Sequence, residues 1–168
     1  MARRAIAGWA GVLVRLAAAA VWLVAGAAKL PELEMFRQQV ERYDVLPGAL
    51  VAPVAYALPF VEVGLGLYLT VGLFVRAAAV LGTLLMLTFL AAQGQAWARG
   101  LVVDCGCFGA LEQSQVGLGT VLRDLVLGIP TFVMVARPAR RLSLDRRLAG
   151  CNRDDLTLAR GRGAGRAR

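Results

Sequence analysis

Histidine is missing from all 168 residues of the chain. Its absence removes the commonest metal ligand and the commonest general base near neutral pH. His-ligated haem, His-rich metal centres and a Ser-His-Asp triad are therefore excluded. Cysteine is scarce, and three cysteines cannot build a disulfide scaffold. Acidic residues are outnumbered, 11 against 19 basic, for a formal charge of +8. Such a surplus fits nucleic acid or anionic lipid, and position decides between them. Ten of the 19 basic residues fall in residues 137–168, and the others flank or interrupt apolar blocks. That is the pattern of a membrane protein with a basic tail facing anionic lipid, with no nucleic acid as partner.

What is present is mostly apolar. The chain is 58% hydrophobic, above the usual half of a soluble domain. Its blocks are too long for a soluble fold of this size to bury. A helix needs about 20 mostly apolar residues to cross a hydrocarbon core of about 30 Å. Four segments qualify: 9–30, interrupted by Arg15; 50–75, with Pro53, Pro59 and Glu62; 77–97, without charge; and 116–136, with Arg123, Asp124 and Pro130. The expected fold is all-α, an integral membrane four-helix bundle over residues 1–136. A basic tail, 137–168, is too rich in Arg, Gly and Ala to fold beyond a short juxtamembrane helix. Only Arg76 separates the second and third spans, which predicts a tight hairpin there. The first span also resembles a cleavable leader, with Arg3 and Arg4 before it and small residues at Ala25-Gly26-Ala27. Arg15 and its length favour a retained span.

Basic loops set the orientation. Arg3 and Arg4, Arg76, and the tail with Arg137, Arg140 and Arg141 share one side, which the positive-inside rule makes cytoplasmic. Both termini are then cytoplasmic and the first and third connections face outward. The Ala, Arg, Gly and Val bias points to a bacterial plasma membrane. Between spans one and two, Leu33, Phe36, Val40 and Tyr43 recur at helical spacing, opposite Glu34, Arg37, Gln38, Glu41 and Arg42. This predicts a short amphipathic helix, lying on the outer interface or packed on the bundle.

The third connection carries Asp104-Cys105-Gly106-Cys107-Phe108-Gly109. Two thiols one residue apart can close a small, strained disulfide ring, and Gly106 tolerates the backbone this requires. A strained, exposed disulfide is more oxidising than a structural one. Three readings follow: a reversible redox pair of Cys105 and Cys107, a soft-metal site, or a structural turn. Two thiolates are a thin set for zinc, so no metal site is assigned. Asp104 beside the pair raises the thiols and Arg99 offsets it. Gly109 turns the chain back toward the membrane. Cys151, in the tail, reads as incidental.

Charged groups inside spans are costly and mark function by default. Arg15, near the inner end of its span, can snorkel to the surface, and Lys29 can do so at the outer end. Glu62 lies about 18 Å, and Arg123 and Asp124 about 10–12 Å, below the outer starts of their spans at ~1.5 Å per residue. A buried Glu62–Arg123 contact is expected, with Asp124 and Lys29 completing a polar cluster beneath the cysteines. Its role is helix packing, a proton path, or a quinone head-group site serving the dithiol.

These residues together resemble the methylamine-utilisation MauE family, within the DoxX-like group of four-helix membrane proteins. The matching pieces are Ala25-Gly26-Ala27-Ala28-Lys29-Leu30, the Pro47 turn, Pro59 with Glu62, Cys105-Gly106-Cys107-Phe108-Gly109, and Arg123-Asp124. They cover roughly residues 10–136. The resemblance implies a redox-associated membrane protein that helps disulfide formation or maturation of an exported dehydrogenase, with a thioredoxin-like partner. It also implies a quinone as the one cofactor to look for, because DoxX-like relatives are associated with quinone-linked sulfur oxidation. The activity would be that of a thiol-disulfide oxidoreductase or of a subunit of one. A scaffold subunit of a redox complex and a soft-metal binding or transport protein are the other functions the residues allow.

Overall fold

Inside hydrocarbon, every backbone N–H and C=O must be satisfied within the protein, which leaves helices as the economical solution for separate apolar blocks. The computed structural model describes residues 2–108 and 114–136. Helix α1 (Ala2–Lys29) runs through a 3₁₀ turn (Leu30–Glu32) into α2 (Leu33–Arg42). Helices α3 (Gly48–Val71), α4 (Val75–Ala98) and α5 (Leu118–Ala136) follow. Four stretches, within α1, α3, α4 and α5, are long and apolar enough to cross a membrane, with mean hydropathies of 1.6 to 1.9. Their outer faces present Leu13, Phe60, Leu67, Leu84 and Val126, the surface a bilayer solvates. The chain is thus an all-α, multi-pass membrane protein, as its apolar blocks predict.

Going round the bundle the order is α3, α1, α5, α4, so α3 and α5 lie on a diagonal. The closest approach is α1 on α3. A Cβ on Gly26 would stand 2.8 Å from the Pro59 carbonyl oxygen and 2.9 Å from the Val63 nitrogen. Ala18, Ala19, Trp22, Leu65, Leu69 and Met134 fill the core below it. Trp22 Nε1 donates to Thr131 Oγ1 at 3.2 Å and so ties α1 to α5.

Two expectations shift. The hairpin between the second and third spans turns at residues 72–74, and Arg76 sits inside the first turn of α4. Gly72, at φ 74°, ends α3: its N–H and that of Leu73 both donate to the Tyr68 carbonyl. A left-handed glycine is the usual helix stop, and uniform apolarity around it hides the break. Arg15, expected to reach the inner surface, is instead buried in the bundle. The tail with Cys151, and Gly109, lie outside the described residues.

The amphipathic helix exists as α2 and packs onto the bundle. Phe36 and Gln39 are buried, as is Tyr43 just beyond its end. Arg37 joins Glu34 and Glu41 on the exposed side, and Tyr56 Oη donates to Glu34 at 2.9 Å. Helix α1 ends at Lys29 beside Glu62, fourteen residues into α3, or about 21 Å at ~1.5 Å per residue. The first turns of α3 therefore overtop α1. Helix α2 and the α4–α5 loop fill the space above Lys29, which sets the cysteine loop into the bundle.

Gly26→Val is expected to separate α1 from α3 and cost about 1–3 kcal/mol, read as a lower melting temperature in detergent. Gly64→Ala, at a position with open space within 4 Å, is expected to leave the melting temperature unchanged or higher.

Candidate functional site

The loop after α4 is held by its backbone. Val116 N–H donates to the Val103 carbonyl and Cys105 N–H to the Ser114 carbonyl, each at 2.9 Å, flanking an antiparallel bridge between Asp104 and Gln115. Tyr43 Oη reaches over from the end of α2 and donates to the carbonyls of Asp104, at 3.2 Å, and Cys105, at 2.9 Å. Gly106 has φ 68°, and a Cβ there would lie 2.8 Å from Gln39 Oε1. The left-handed backbone favours glycine at this position, and a side chain there would displace the Gln39 amide.

This clamp brings the two sulfurs to 2.9 Å, as free thiols in hydrogen-bond contact. Asp124, from α5, comes up beneath them. Its Oδ2 is 3.0 Å from Cys107 Sγ and 3.5 Å from Cys105 Sγ. Gln93, 1% exposed in α4, donates through Nε2 to Asp124 Oδ2 at 2.7 Å and to Cys107 Sγ at 3.2 Å. Arg123 Nε donates to Asp124 Oδ1 at 2.8 Å, and its Nη2 stands 3.5 Å from Cys105 Sγ. The guanidinium also covers the Phe108 ring at 5.3 Å.

The two thiols are pushed apart. The hydrogen bond with Cys107 holds Cys105 below the ordinary thiol range; Arg123 assists, while burial and Asp124 oppose. That same hydrogen bond pushes Cys107 well up, with burial and Asp124 adding to it. In the dithiol state Cys105 is thus the first to ionise. Cys107 Sγ is enclosed by Cys105 Sγ, Gln93 Nε2 and Asp124 Oδ2.

Below the pair lies a second charged set. Lys29 Nζ meets Glu62 Oε1 at 2.9 Å and Oε2 at 2.8 Å, the Ala25 carbonyl at 3.2 Å and the Cys107 carbonyl at 2.6 Å. Both side chains are essentially inaccessible, Lys29 at 1% and Glu62 at 0%. The rings of Phe36 and Phe89 flank the ammonium at 5.4 and 5.8 Å.

The expected Glu62–Arg123 contact is therefore replaced by two separate pairs, Glu62 with Lys29 and Arg123 with Asp124. Depth along the helices was a sound guide, but α3 and α5 are diagonal, and Lys29 enters from α1 between them. Lys29 turns inward onto its partners and does not snorkel. Arg99 pairs with Asp44 at the surface, at 3.2 Å, so Arg123 supplies the cation near the thiols. Asp124, not Asp104, supplies the carboxylate. With Asp124 the pair also forms a three-donor group, whose ligand atoms lie within 4.8 Å of one another. Gln93 and Gln39 were not expected at the site, and Tyr43 was expected only on the apolar face of the amphipathic helix. A glutamine in the otherwise uncharged third span was one available signal, and the single lysine of the chain was another for Lys29.

Removing one member of a buried ion pair leaves the other uncompensated, which costs about 3–5 kcal/mol. Glu62→Gln and Lys29→Met are each expected to lower the detergent melting temperature markedly. The double variant Lys29→Met/Glu62→Leu is expected to recover most of the loss.

The family described as "Methylamine utilisation protein MauE" matches residues 7–137. A "Methylamine utilization protein MauE" from Methylophilus methylotrophus is 37% identical over 123 residues, covering 70% of this chain and 65% of that protein. One from Paracoccus denitrificans is 36% identical over 132 residues, covering 75% of this chain and 71% of that protein. The chain thus spans just under two thirds of the first relative's length. No solved structure matches it. A four-span bundle closed over a clamped Cys-Gly-Cys loop, matched along most of its length, belongs to the MauE family.

Proposed function

We propose that this chain is a membrane thiol-disulfide exchange protein that serves methylamine utilisation, the role printed for its relatives. Its Cys105–Cys107 pair oxidises the thiols of an exported protein or of a thioredoxin-like carrier. The observation that carries this reading is the 2.9 Å approach of two free thiols, above one carboxylate and beside one guanidinium. A structural turn has no use for a carboxylate at 3.0 Å from a sulfur. A redox pair does, because it must take up and release protons with its electrons.

In the oxidised state, a partner thiolate attacks Cys107 and forms a mixed disulfide. Cys105 leaves as thiolate, stabilised by Arg123. A low thiol pKa makes a better leaving group. The second thiol of the partner then attacks its own mixed-disulfide sulfur and releases Cys107. Two electrons and two protons pass from the partner dithiol to this pair. Asp124 is the acceptor for the Cys107 proton when the pair is reoxidised. The positive-inside arrangement of Arg3, Arg4, Arg76 and the tail supports an extracytoplasmic side for this chemistry. A disulfide pair is maintained there, where the cytosol would reduce it.

A second reading rests on the three-donor group of Cys105, Cys107 and Asp124. Two thiolates and a carboxylate suit a soft cation such as Cu(I). The test separates the two. Intact cells are treated with a membrane-impermeant alkylating reagent, with and without prior reduction. Mass shifts at Cys105 and Cys107 only after reduction support the relay. Free thiols without reduction, together with stoichiometric metal lost in Cys107→Ser, support the metal site. Labelling only after lysis overturns the orientation.

Two further outcomes are expected. Cys105→Ser accumulates a mixed disulfide between Cys107 and the partner on non-reducing gels, and Cys107→Ser does not. Arg123→Gln raises the Cys105 pKa, because a lowering charge is removed and Asp124 is freed to oppose ionisation. Its alkylation profile therefore moves to higher pH, and Arg123→Lys restores part of the shift.

A further inference from the structure

Thiol-disulfide exchange at this pair has two leaving groups. Cys105 leaves when a partner thiolate forms the mixed disulfide, and Cys107 leaves when the partner closes its own disulfide. Each sulfur is released as a thiolate into a site that already holds Asp124. Asp124 Oδ2 is 3.5 Å from Cys105 Sγ and 3.0 Å from Cys107 Sγ, so its charge opposes the second release more than the first. Each release needs a donor at its own sulfur.

Among the described residues, the nitrogen donors divide between the two sulfurs. Arg123 Nη2 stands 3.5 Å from Cys105 Sγ. Gln93 Nε2, on a side chain 1% exposed, stands 3.2 Å from Cys107 Sγ. Lys29 also holds Cys107, but by its carbonyl, at 2.6 Å. The backbone and the sulfur of Cys107 are thus held by different groups.

The Gln93 amide is used for what it donates. A primary amide carries two N–H groups, and Nε2 reaches both Asp124 Oδ2, at 2.7 Å, and Cys107 Sγ. Turned over, the amide would set its oxygen against the Asp124 carboxylate. Its Oε1 is instead buried without a hydrogen-bond partner among the described residues, an unfavourable state for a polar atom. The amide is also neutral. It adds no charge to a site where Lys29 offsets Glu62 and Arg123 offsets Asp124. A hydrogen bond to an anion is stronger than one to a neutral acceptor. The Gln93 bond therefore strengthens as charge develops on Cys107, and such a difference between ground and transition states lowers a barrier.

We infer that Gln93 is the donor that stabilises the Cys107 thiolate as it is released from the mixed disulfide. The inference rests on the redox reading of the cysteine pair. In the releasing step, the second thiolate of the partner attacks the partner's own sulfur in the mixed disulfide. The partner's S–S bond forms, the bond to Cys107 breaks, and its electron pair goes to Cys107 Sγ. The partner is oxidised and Cys107 is reduced. The Cys107 thiolate then takes up one proton, matching the one that the partner's second thiol gave up. The free dithiol with Gln93 on Cys107 is the product of this step.

The two steps are measured apart, on the full-length chain in lipid nanodiscs. Cys151→Ser is introduced throughout, so that Cys105 and Cys107 are the only thiols. For the first step, diamide-oxidised protein is mixed with glutathione, and formation of the mixed disulfide is followed by intact mass. For the second, Cys105→Ser protein carrying one dithiothreitol on Cys107 is followed as the adduct cyclises and frees Cys107. Gln93→Met keeps the length of the side chain and removes its donors. It is expected to slow the second step about tenfold more than the first. Gln93→Asn, which draws the amide back by one methylene, is expected to shift the two rates in the same direction. Arg123→Gln is expected to reverse the split and slow the first step more. Melting temperatures show which variants have folded. Equal slowing of both steps, no slowing of either, or loss of folding in both Gln93 variants overturns the role of Gln93 alone. An oxidised pair that does not react with glutathione overturns the redox reading, and this inference with it.

Discussion

Lys29 is the constraint on which the site depends. It is the last residue of α1 and the single lysine of the chain. Its ammonium spends its three protons on Glu62, on its own helix at Ala25, and on the Cys107 carbonyl. One buried cation thus fixes α1 against α3 and fixes the cysteine loop to both. An ammonium at such depth is tolerable only where every proton has an acceptor and the charge has a counter-ion. Gly26 and Pro59 follow from that need. Without the close crossing at Gly26, α1 would stand off α3 and Lys29 would fall short of Glu62.

The charges around the loop balance. Lys29 offsets Glu62, and Arg123 offsets Asp124. The two thiols therefore sit in surroundings with no net formal charge, where adding a lone thiolate is costly. Arg123 near Cys105 lessens that cost for one sulfur and not for the other. Leaving both sulfurs ionised would put two like charges 2.9 Å apart, so under the proposed redox function protons would move along with electrons.

Much of this was legible from residues alone. Span length reports helix number because hydrocarbon thickness sets it, and a Cys-Gly-Cys run reports two neighbouring thiols because one residue between them keeps the sulfurs close. Glu62, Arg123 and Asp124 were identifiable because charge in a span is expensive. Pairing was not legible. Depth along each helix follows from counting, but which helices adjoin depends on packing of small residues such as Gly26 and Gly66, and a pattern of glycines specifies no partner. Gln39 and Gln93 stayed hidden for a related reason: a neutral amide carries little cost on a hydropathy scale, and its importance appears only once its neighbours are known.

The order of the helices also accounts for a slot of about 170 Å³ between α3 and α4, beneath α2. Helices joined by a three-residue turn must be close at that turn, and nothing requires them to stay close at the far end. Helix α1 crosses α3 on one side and α5 pairs with α4 on the other, so each pair is committed elsewhere and the seam between α3 and α4 is left the least filled. Helix α2 covers that seam from above because the chain must return from Lys29 to the top of α3 within the residues between them. The thiol loop then closes the inner end.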